Sequence, residues 1–392
     1  MRNRDSHRLG LLFSSTGPYA TIGQAMLNGA LLAIEEINAN DEFPFSLEPV
    51  AADPGGVNSA YMNLAKSMLA EEHLTHVVGC YTSSSRKEVL PYFEKYDGLL
   101  WYPSHYEGFE SSENIVYTGA SPNQHIVPLT DFLLKNYGNV AYLLGSNYIW
   151  AWENNKIMRE ALLGAGGTVL AERYVPVHEM DHDTIVAQIL DCRPDFIFNT
   201  LIGESAYAFF RTLRQEAMRL GIDQVREMPV ASCSLSEPEL AEIGTAACDG
   251  HISSSVYFES IESEANYSFT RAYRERFPQW LTTSADAESS YIAVHLLARA
   301  LRRAGSDDML AVRQALPHVS FKAPQGRVHI DGENRHSFLT PRIAVSNSNA
   351  GFDIIYESTQ PIRPDPYLVW ADNRIDRLAR PIRGGNPLRL VK

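Results

Sequence analysis

The sequence has little cysteine, no excess of positive charge and no long apolar run. Four of its 392 residues are cysteine, and no pair has the C-x-x-C spacing of metal and redox sites, so reduced thiols are expected. The net charge of -13 leaves no sign of the clustered basic surface that binds duplex nucleic acid. No stretch approaches the roughly 18 consecutive apolar residues of a membrane-spanning helix. We therefore expect no direct contact with nucleic acid and no membrane insertion.

The beginning of the chain lacks the pattern of a secretory signal. Arg2, Arg4 and Arg8 could supply a basic start, but the apolar run at residues 9–13 is too short and no cleavage site follows it. The sequence therefore predicts a cytoplasmic location. An exported protein whose leader had been removed would have the same sequence, and its location would be periplasmic.

Most catalytic signatures are also missing. The G-x-G-x-x-G, P-loop and G-x-S-x-G patterns do not occur, so no dinucleotide, nucleoside triphosphate or hydrolase site is indicated. Cys80, with Lys87, Glu88 and Glu107 near it in sequence, could in principle act as a nucleophile in amide hydrolysis. No spacing requires this, and a buried thiol at a strand end is the commoner case.

One metal motif is present as a string of letters. His178 to His182 read H-E-x-x-H, the zinc protease signature. Zinc binding requires this motif on a helix, where the two imidazoles share one face. Here it follows a β-branched run, and helical periodicity begins only near Asp183, so the motif is predicted to lie in a loop. We expect no catalytic residue, no metal site and no cofactor, and predict that the protein is not an enzyme.

Strand and helix patterns alternate through most of the chain. Two consecutive series of similar length predict an α/β fold with two doubly wound parallel-sheet lobes. From about residue 258 the pattern is helical, and from about residue 326 it is rich in strands. The predicted strands are residues 9–13, 46–52, 75–80, 98–102, 115–118, 140–145, 169–175, 196–199, 228–232 and 251–257, and the predicted helices are 22–37, 58–71, 86–96, 124–136, 153–163, 183–190, 205–218, 237–243, 265–277, 285–304 and 307–316.

Polar loops of one chemical character follow several of these strands. Serine, threonine and tyrosine recur in them, whereas arginine and lysine are rare. Because ligands of parallel α/β folds bind at the carboxyl ends of the strands, these loops predict a binding site. Hydroxyl groups and flat aromatic walls suit a small neutral polar solute better than an anion. The loops are residues 14–16, 81–83, 102–105, 146–150 and 232–234.

Several short blocks of the sequence resemble one known family. The chain is similar to the amide sensors of bacterial aliphatic amidase operons and to the related urea and short-chain amide binding proteins of transporters. The resemblance runs in order from about residue 9 to residue 367. The blocks are Gly79-Cys80-Tyr81-x-Ser83, Arg86-Lys87, Tyr102-Pro103, Tyr106-Glu107-Gly108-Phe109-Glu110, Asn114-Ile115-Val116-Tyr117, Pro122-Asn123-Gln124, Gly145-Ser146-x-Tyr148-Ile149 and Pro361-Ile362-Arg363-Pro364-Asp365-Pro366-Tyr367.

This resemblance implies the type I periplasmic-binding-protein fold, in which two α/β lobes joined by three crossings close on a ligand cleft. The N-terminal lobe would combine residues 1–120 with 258–330. The C-terminal lobe would combine residues 121–257 with 331–392, including a polar tail.

The resemblance also implies the ligand contacts. Tyr81, Ser83, Tyr102, Ser104 and Tyr148 match contact positions of the family. The chain departs from the amide sensors at residue 150, where they have tyrosine, at residue 151, where they have proline, and at residues 104–105, where they have a threonine-proline pair. With the loop at residues 232–234, the predicted ligand-binding residues are Tyr81, Ser83, Tyr102, Ser104, His105, Tyr148, Trp150 and Ser234.

Two receptor roles stay open. In the first, a cytoplasmic sensor binds a short aliphatic amide or urea and controls an RNA-binding antiterminator protein. In the second, a substrate-binding protein delivers urea or a short-chain amide to an ABC permease. The missing signal favours the sensor, amide hydrolysis is a third and weaker alternative, and a homo-oligomer stays open.

Overall fold

The computed structural model describes residues 5–279 and 282–369, and the predicted tail beyond residue 369 lies outside them. The strands are β1 (Asp5–Leu12), β2 (Phe45–Ala52), β3 (His76–Gly79), β4 (Leu99–Tyr102), β5 (Ile115–Tyr117), β6 (Val140–Ser146), β7 (Thr168–Val175), β8 (Phe196–Thr200), β9 (Val230–Ser232), β10 (Ile252–Ser255), β11 (Ser320–Ala323), β12 (Gly326–Ile330), β13 (Ser337–Phe338), β14 (Arg342–Ser346) and β15 (Phe352–Glu357). The helices are α1 (Ala20–Ala39), α2 (Asn58–Ala70), α3 (Ser83–Lys95), α4 (Ile126–Asn136), α5 (Ile149–Gly164), α6 (Asp183–Cys192), α7 (Glu204–Arg219), α8 (Gln224–Glu227), α9 (Glu237–Ile243), α10 (Glu264–Arg276), α11 (Ala285–Ala304) and α12 (Met309–Ala315).

Two main sheets repeat one strand order. The first sheet has the order β2-β1-β3-β4-β5, and all of its pairs are parallel. The second contains β7-β6-β8-β9-β10 in the equivalent parallel order and adds β14 and β15 as antiparallel strands at its far edge. In this order the switch point lies between the first and third strands, where doubly wound folds bind ligands. The predicted α/β fold with two doubly wound lobes is confirmed.

The first core depends on close contact between α1 and α11. The predicted inward face of α1, which includes Ile22, Met26 and Ile37, is buried against this core. At Gly29 an added Cβ would lie 2.0 Å from the backbone oxygen of Ala287 in α11. Only glycine allows the two helices to approach this closely.

The last third of the chain is divided between the two sheets. Helices α10, α11 and α12 and strands β11 and β12 contribute to the core of the first sheet, whereas β14 and β15 belong to the second. Arg342 lies where the chain passes between them, and its guanidinium donates to the backbone oxygens of Val256 and Gln325 at 2.5 Å and 2.9 Å. The lobe boundaries given above stay a prediction.

Two helices begin earlier than the sequence patterns predicted. α3 begins at Ser83 rather than residue 86, because the Thr82 hydroxyl accepts a hydrogen bond from the Ser85 amide and caps the helix. α5 begins at Ile149 rather than residue 153, which places Trp150 in its first turn and not in a loop. Among the described helices, none has the length and apolar character to cross a membrane.

Candidate functional site

Loops from both sheets enclose a small cavity, which we call the aromatic chamber. Those of the first sheet follow β3 and β4, and those of the second follow β6, β8 and β9. The space open to the centre of a water-sized sphere is about 10 Å³. Its lining residues are Tyr81, Thr82, Ser83, Ser104, His105, Tyr148, Trp150, Ile202 and Ser234.

A tight turn after β3 positions Tyr81. Cys80 adopts a left-handed backbone conformation with φ of 67°, which is unusual for a residue with a side chain. The Tyr102 hydroxyl donates to the backbone oxygen of Tyr81 at 2.8 Å and fixes the turn from the neighbouring strand. Tyr102 itself does not line the chamber, and the Ser104 side chain hydrogen-bonds to its hydroxyl. The role that the structure gives Tyr102 is therefore to orient Tyr81, and its predicted ligand contact stays a prediction.

Ser83 lies between the chamber and a fully buried arginine. The Ser83 hydroxyl donates a hydrogen bond to Glu107, and the Arg86 guanidinium lies 3.4 Å from the hydroxyl oxygen of Ser83. Arg86 also donates to Glu107 at 3.0 Å and to Glu110 at 2.6 Å. Burial by itself would raise the pKa of Glu110, but the Arg86 charge lowers it to about 2. Ser83 is thus held between an arginine and a glutamate that are paired with each other.

His105 contributes a neutral ring to the chamber. Burial, with the nearby His125, lowers the pKa of His105 to about 3, so the imidazole carries no charge at neutral pH. Its ring centre lies 5.4 Å from that of Trp150 across the chamber, in an edge-on arrangement. The side chain therefore offers one donor or acceptor nitrogen to a ligand rather than a positive charge.

The first turn of α5 provides the opposite wall. Tyr148 is the N-cap residue, and its ring stacks on that of Trp150 with centres 6.2 Å apart. Trp150 is 3% exposed, and its indole Nε1 has no hydrogen-bond partner among the described residues. Trp152, two residues further along the helix, is exposed and donates its Nε1 hydrogen to Asn147. An unpaired indole donor in a small enclosed space is a group that a ligand could satisfy.

Tyr19 of the first lobe packs against Tyr81, a lining residue of the chamber, and against the second lobe. Its ring centre lies 5.6 Å from that of Tyr81 and 6.0 Å from that of His178 in the second lobe. An added Cβ at Gly203, where φ is 60°, would lie 3.0 Å from the backbone oxygen of Pro18. The two lobes are therefore in contact at the mouth of the cleft.

A second cavity, which we call the acidic chamber, adjoins the first. The two share His105 and Ser234, and the second also offers about 10 Å³ to the centre of a water-sized sphere. It contains two carboxyl groups, Glu237 and Asp286. Its lining residues are His105, Cys233, Ser234, Leu235, Ser236, Glu237, Ser255, Tyr257, Phe258, Ala285 and Asp286.

The carboxyl groups of the acidic chamber are buried without a cation. Burial raises the pKa of Glu237 to about 8, with a smaller contribution from Glu259, and the pKa of Asp286 to about 7. Glu239 lies behind the chamber, where Ser236 donates to it at 3.0 Å, and burial raises its pKa to about 8 as well. Within the described part of the chain, no lysine or arginine lines either chamber.

The structure brings together seven of the eight predicted ligand-binding residues, all except Tyr102. Thr82 belongs to the predicted loop at residues 81–83, although it was not among the predicted ligand-binding residues. Sequence reasoning missed Ile202, Glu237 and Asp286. Ile202 follows β8, so attention to every strand end would have found it. Glu237 and Asp286 stand in the first turns of α9 and α11, where a carboxylate is common at a solvated helix start, so nothing in the sequence marks them.

The two alternative catalytic groups have ordinary structural roles. The predicted loop position of the H-E-x-x-H letters is confirmed, since they fall between β7 and α6, and His182 Nε2 lies 2.9 Å from the backbone oxygen of Ser205. No group of three or more metal-ligating side chains occurs within residues 5–279 and 282–369. Burial raises the pKa of the Cys80 thiol to about 12, which opposes formation of a nucleophilic thiolate.

Comparison with known proteins gives one family and many similar folds. The family model for the periplasmic binding protein domain matches residues 7–373. A solute-binding protein of an ABC transporter from R. palustris, in complex with 4-hydroxybenzoate, has a TM-score of 0.81 at 19% identity and covers 91% of this chain and 98% of its own. The branched-chain amino acid binding protein LivJ from Streptococcus pneumoniae, in complex with isoleucine, has a TM-score of 0.77 at 18% identity and covers 92% and 100%.

A curated relative covers much less of the chain. The limonene hydroxylase of Geobacillus stearothermophilus is 28% identical over 127 residues, which are 32% of this chain and 23% of that protein. The chain therefore spans about a quarter of this relative's length. The structural similarities at less than 25% identity show the fold alone.

Proposed function

The chain belongs to the family of periplasmic binding protein domains, and we propose that it is a solute-binding receptor for a short amide or urea, acting with an ABC permease. Members of this fold with similar structures are ligand-binding proteins of transporters. The amide ligand and the permease are our proposals. The observation that carries the ligand class is the chemistry of the aromatic chamber.

The aromatic chamber has the groups that an amide needs and lacks those that an anion needs. Hydroxyl groups, an imidazole and the unpaired Trp150 donor line it, together with aromatic rings and one aliphatic side chain. An amide offers a carbonyl acceptor and NH₂ donors, so such groups satisfy it without a formal charge. A carboxylate ligand would call for arginine or lysine, and neither lines the chamber.

The size of the chamber supports a small ligand. About 10 Å³ for the centre of a water-sized sphere corresponds to room for about one water molecule. Acetamide or urea would require a small widening, by side-chain rotation or partial opening of the lobes. A benzoate-sized ligand would require a larger rearrangement of Tyr148 and Trp150.

The proposed mechanism is closure of two lobes on the ligand. Tyr81 and His105 belong to the first lobe, and Tyr148 and Trp150 to the second. A ligand that contacts both sets binds the closed form more tightly than the open form and shifts the population toward it. The permease would then recognise the closed form.

A thermal-shift panel tests the ligand class. Acetamide, urea, 4-hydroxybenzoate and isoleucine are each added to the full chain. We expect acetamide or urea to stabilise it, since a ligand at 100 times its dissociation constant adds about 2.7 kcal/mol to the free energy of unfolding. Stabilisation by 4-hydroxybenzoate or isoleucine, with none from the amides, would refute the proposal.

The cellular role is tested by fractionation and uptake. A transport role predicts the native protein in the periplasmic fraction and loss of amide or urea uptake when its gene is deleted. The sensor role, with its RNA-binding antiterminator partner, predicts a different result. The protein would be cytoplasmic, and deletion of its gene would leave uptake intact but release an amide-inducible gene from control.

A further inference from the structure

We propose that the acidic chamber binds the nitrogen end of the ligand, and that it extends the ligand class from short amides to their cationic isosteres, the amidines and guanidines. The inference rests on the proposed function, because it assumes that the ligand occupies the adjoining aromatic chamber.

The two chambers are close enough to be filled by one small molecule. His105 and Ser234 line both, so they form the passage between the chambers. Tyr81, which lines the aromatic chamber, lies near Glu239 and Asp286. Burial is the largest cause of the raised pKa of the Tyr81 hydroxyl, and the negative charges of these two groups raise that pKa further. A ligand whose carbon end contacts the aromatic rings can therefore direct its nitrogen end toward the carboxyl groups.

Glu237 has one oxygen bound and one unbound. Its Oε1 accepts a hydrogen bond from the Glu259 amide at 2.7 Å, which fixes the carboxyl group. Its Oε2 is buried and has no hydrogen-bond partner among the described residues, and Glu237 as a whole is only 2% exposed. A buried carboxylate oxygen without a donor is unfavourable, so each such group in a native protein calls for an explanation.

Asp286 is the second acceptor of the chamber. It is 4% exposed, and no hydrogen bond or ion pair joins its carboxyl group to another residue in the described part of the chain. It follows the N-cap residue Ser284, whose hydroxyl accepts from the Ala287 amide, so the start of α11 is capped without it. Its carboxyl group is therefore free to serve the cavity.

The acidic chamber, as lined by the described residues, lacks hydrogen-bond donors with positive charge that could pair with its carboxyl groups. Among residues 5–279 and 282–369, those that line the acidic chamber include two carboxyl groups and no lysine or arginine. An amidinium or guanidinium group presents several N–H donors in one plane and matches carboxylates in the way that the arginine side chain does.

Isothermal titration with matched ligands tests the proposal. Acetamide, acetamidine and acetate have nearly the same shape but differ in charge. At about pH 8 we expect acetamidine to bind about tenfold more tightly than acetamide, because charge-assisted hydrogen bonds are roughly twice as strong as neutral ones. Acetate should show no binding.

Three variants distinguish an effect of the acidic chamber on binding from an effect of negative charge elsewhere on the protein. Asp286→Asn and Glu237→Gln keep an acceptor oxygen but remove the charge, so each should reduce the preference for acetamidine to about threefold or less while acetamide still binds. Glu242→Gln, an exposed carboxylate on the same helix as Glu237, is the control and should leave the preference unchanged.

The outcomes distinguish this inference from the proposed function. If acetamide binds and acetamidine binds no better, or if Asp286→Asn and Glu237→Gln both keep the preference, the acidic chamber is not a nitrogen subsite and the amide receptor stands. If neither ligand binds to the folded parent protein, the proposed function fails as well.

Discussion

Two groups of buried carboxyl groups lie against the same cleft, and they differ in their counter-charge. On the first lobe, Glu107 and Glu110 surround the Arg86 guanidinium, which is fully buried. At the acidic chamber, Glu237 and Asp286 have no lysine or arginine partner among the described residues. The shifts in pKa are opposite, since Arg86 lowers the pKa of Glu110 to about 2, whereas burial raises those of Glu237 and Asp286 to about 8 and 7.

The difference indicates that the two groups of buried carboxyl side chains have different roles. The paired group completes its own hydrogen bonds and holds Ser83 and the tyrosine rings in place, with Arg86 4.8 Å from the ring centres of Tyr102 and Tyr106. The unpaired group leaves acceptors open at a cavity. The first arrangement stabilises the site before ligand arrives, and the second is complete only when a donor enters.

Removal of Arg86 should produce the largest effect, because it takes the fully buried cation out of the paired group. Arg86→Met should lower the free energy of unfolding by about 3–5 kcal/mol, since it leaves Glu107 buried without its close partner and Glu110 paired only with the partly exposed Lys87. Urea denaturation followed by circular dichroism measures the loss.

The matched control for this variant is Lys87→Met. Lys87 contacts the same Glu110 at 2.7 Å but is partly exposed, with 36% of its side chain accessible. Solvent screening should keep its cost below about 1 kcal/mol. Equal losses in the two variants would contradict a special role for the buried pair.

The pH dependence of stability should separate the two groups next. A raised carboxyl pKa means that the folded state holds a proton that the unfolded state has already released. The free energy of unfolding therefore falls as pH rises toward 7 and 8, by up to about 1.4 kcal/mol per pH unit for each group. Glu110 acts in the opposite sense, and its contribution is lost only as pH falls toward 2.

Asp286→Asn isolates this effect. Buried histidines with a lowered pKa, such as His76 and His105, make the free energy of unfolding rise with pH below about pH 6.5, because the unfolded state binds their protons there. The effect of Asp286 is therefore measured above pH 6.5. In that window the variant should be more stable than the parent, by a margin that grows up to about pH 8. A constant difference between the two proteins from pH 6 to pH 8 would show that Asp286 is already ionised in the folded protein below pH 6, and that its pKa is not raised.

The sequence predicts the paired side better than the unpaired side. Strand-end loops led to Tyr81, Ser83 and Ser104, because polar residues interrupt apolar runs there. The acidic chamber has no such pattern. Glu237 and Asp286 look like ordinary first-turn residues, and only the tertiary fold, which brings the starts of α9 and α11 to one enclosed cavity, removes them from water. Burial of this kind depends on contacts distant in sequence, which local periodicity does not report.

Trp150 tests whether the open groups of the cleft serve the ligand. Its indole Nε1 has no hydrogen-bond partner among the residues that the structure describes, so Trp150→Phe removes a donor that this part of the folded protein does not use. We expect acetamide affinity to fall by about 1–2 kcal/mol while the free energy of unfolding changes little. Trp152→Phe, on the same helix turn but exposed, is the control for aromatic substitution. A loss of stability without a loss of affinity would mean that Trp150 only packs.

Ser83 should show the smallest effect on binding, because its hydroxyl already belongs to the paired group. It donates to Glu107, so Ser83→Ala leaves that carboxylate with one donor fewer and should cost about 1 kcal/mol of stability. Acetamide affinity should change by less than about threefold, which is less than expected for a direct ligand contact. Ser84→Ala, on the neighbouring half-buried position of α3, is the matched control. If Ser83→Ala instead reduces affinity about tenfold with no loss of stability, the hydroxyl turns from Glu107 to the ligand on binding, and the paired side of the cleft takes part in recognition directly.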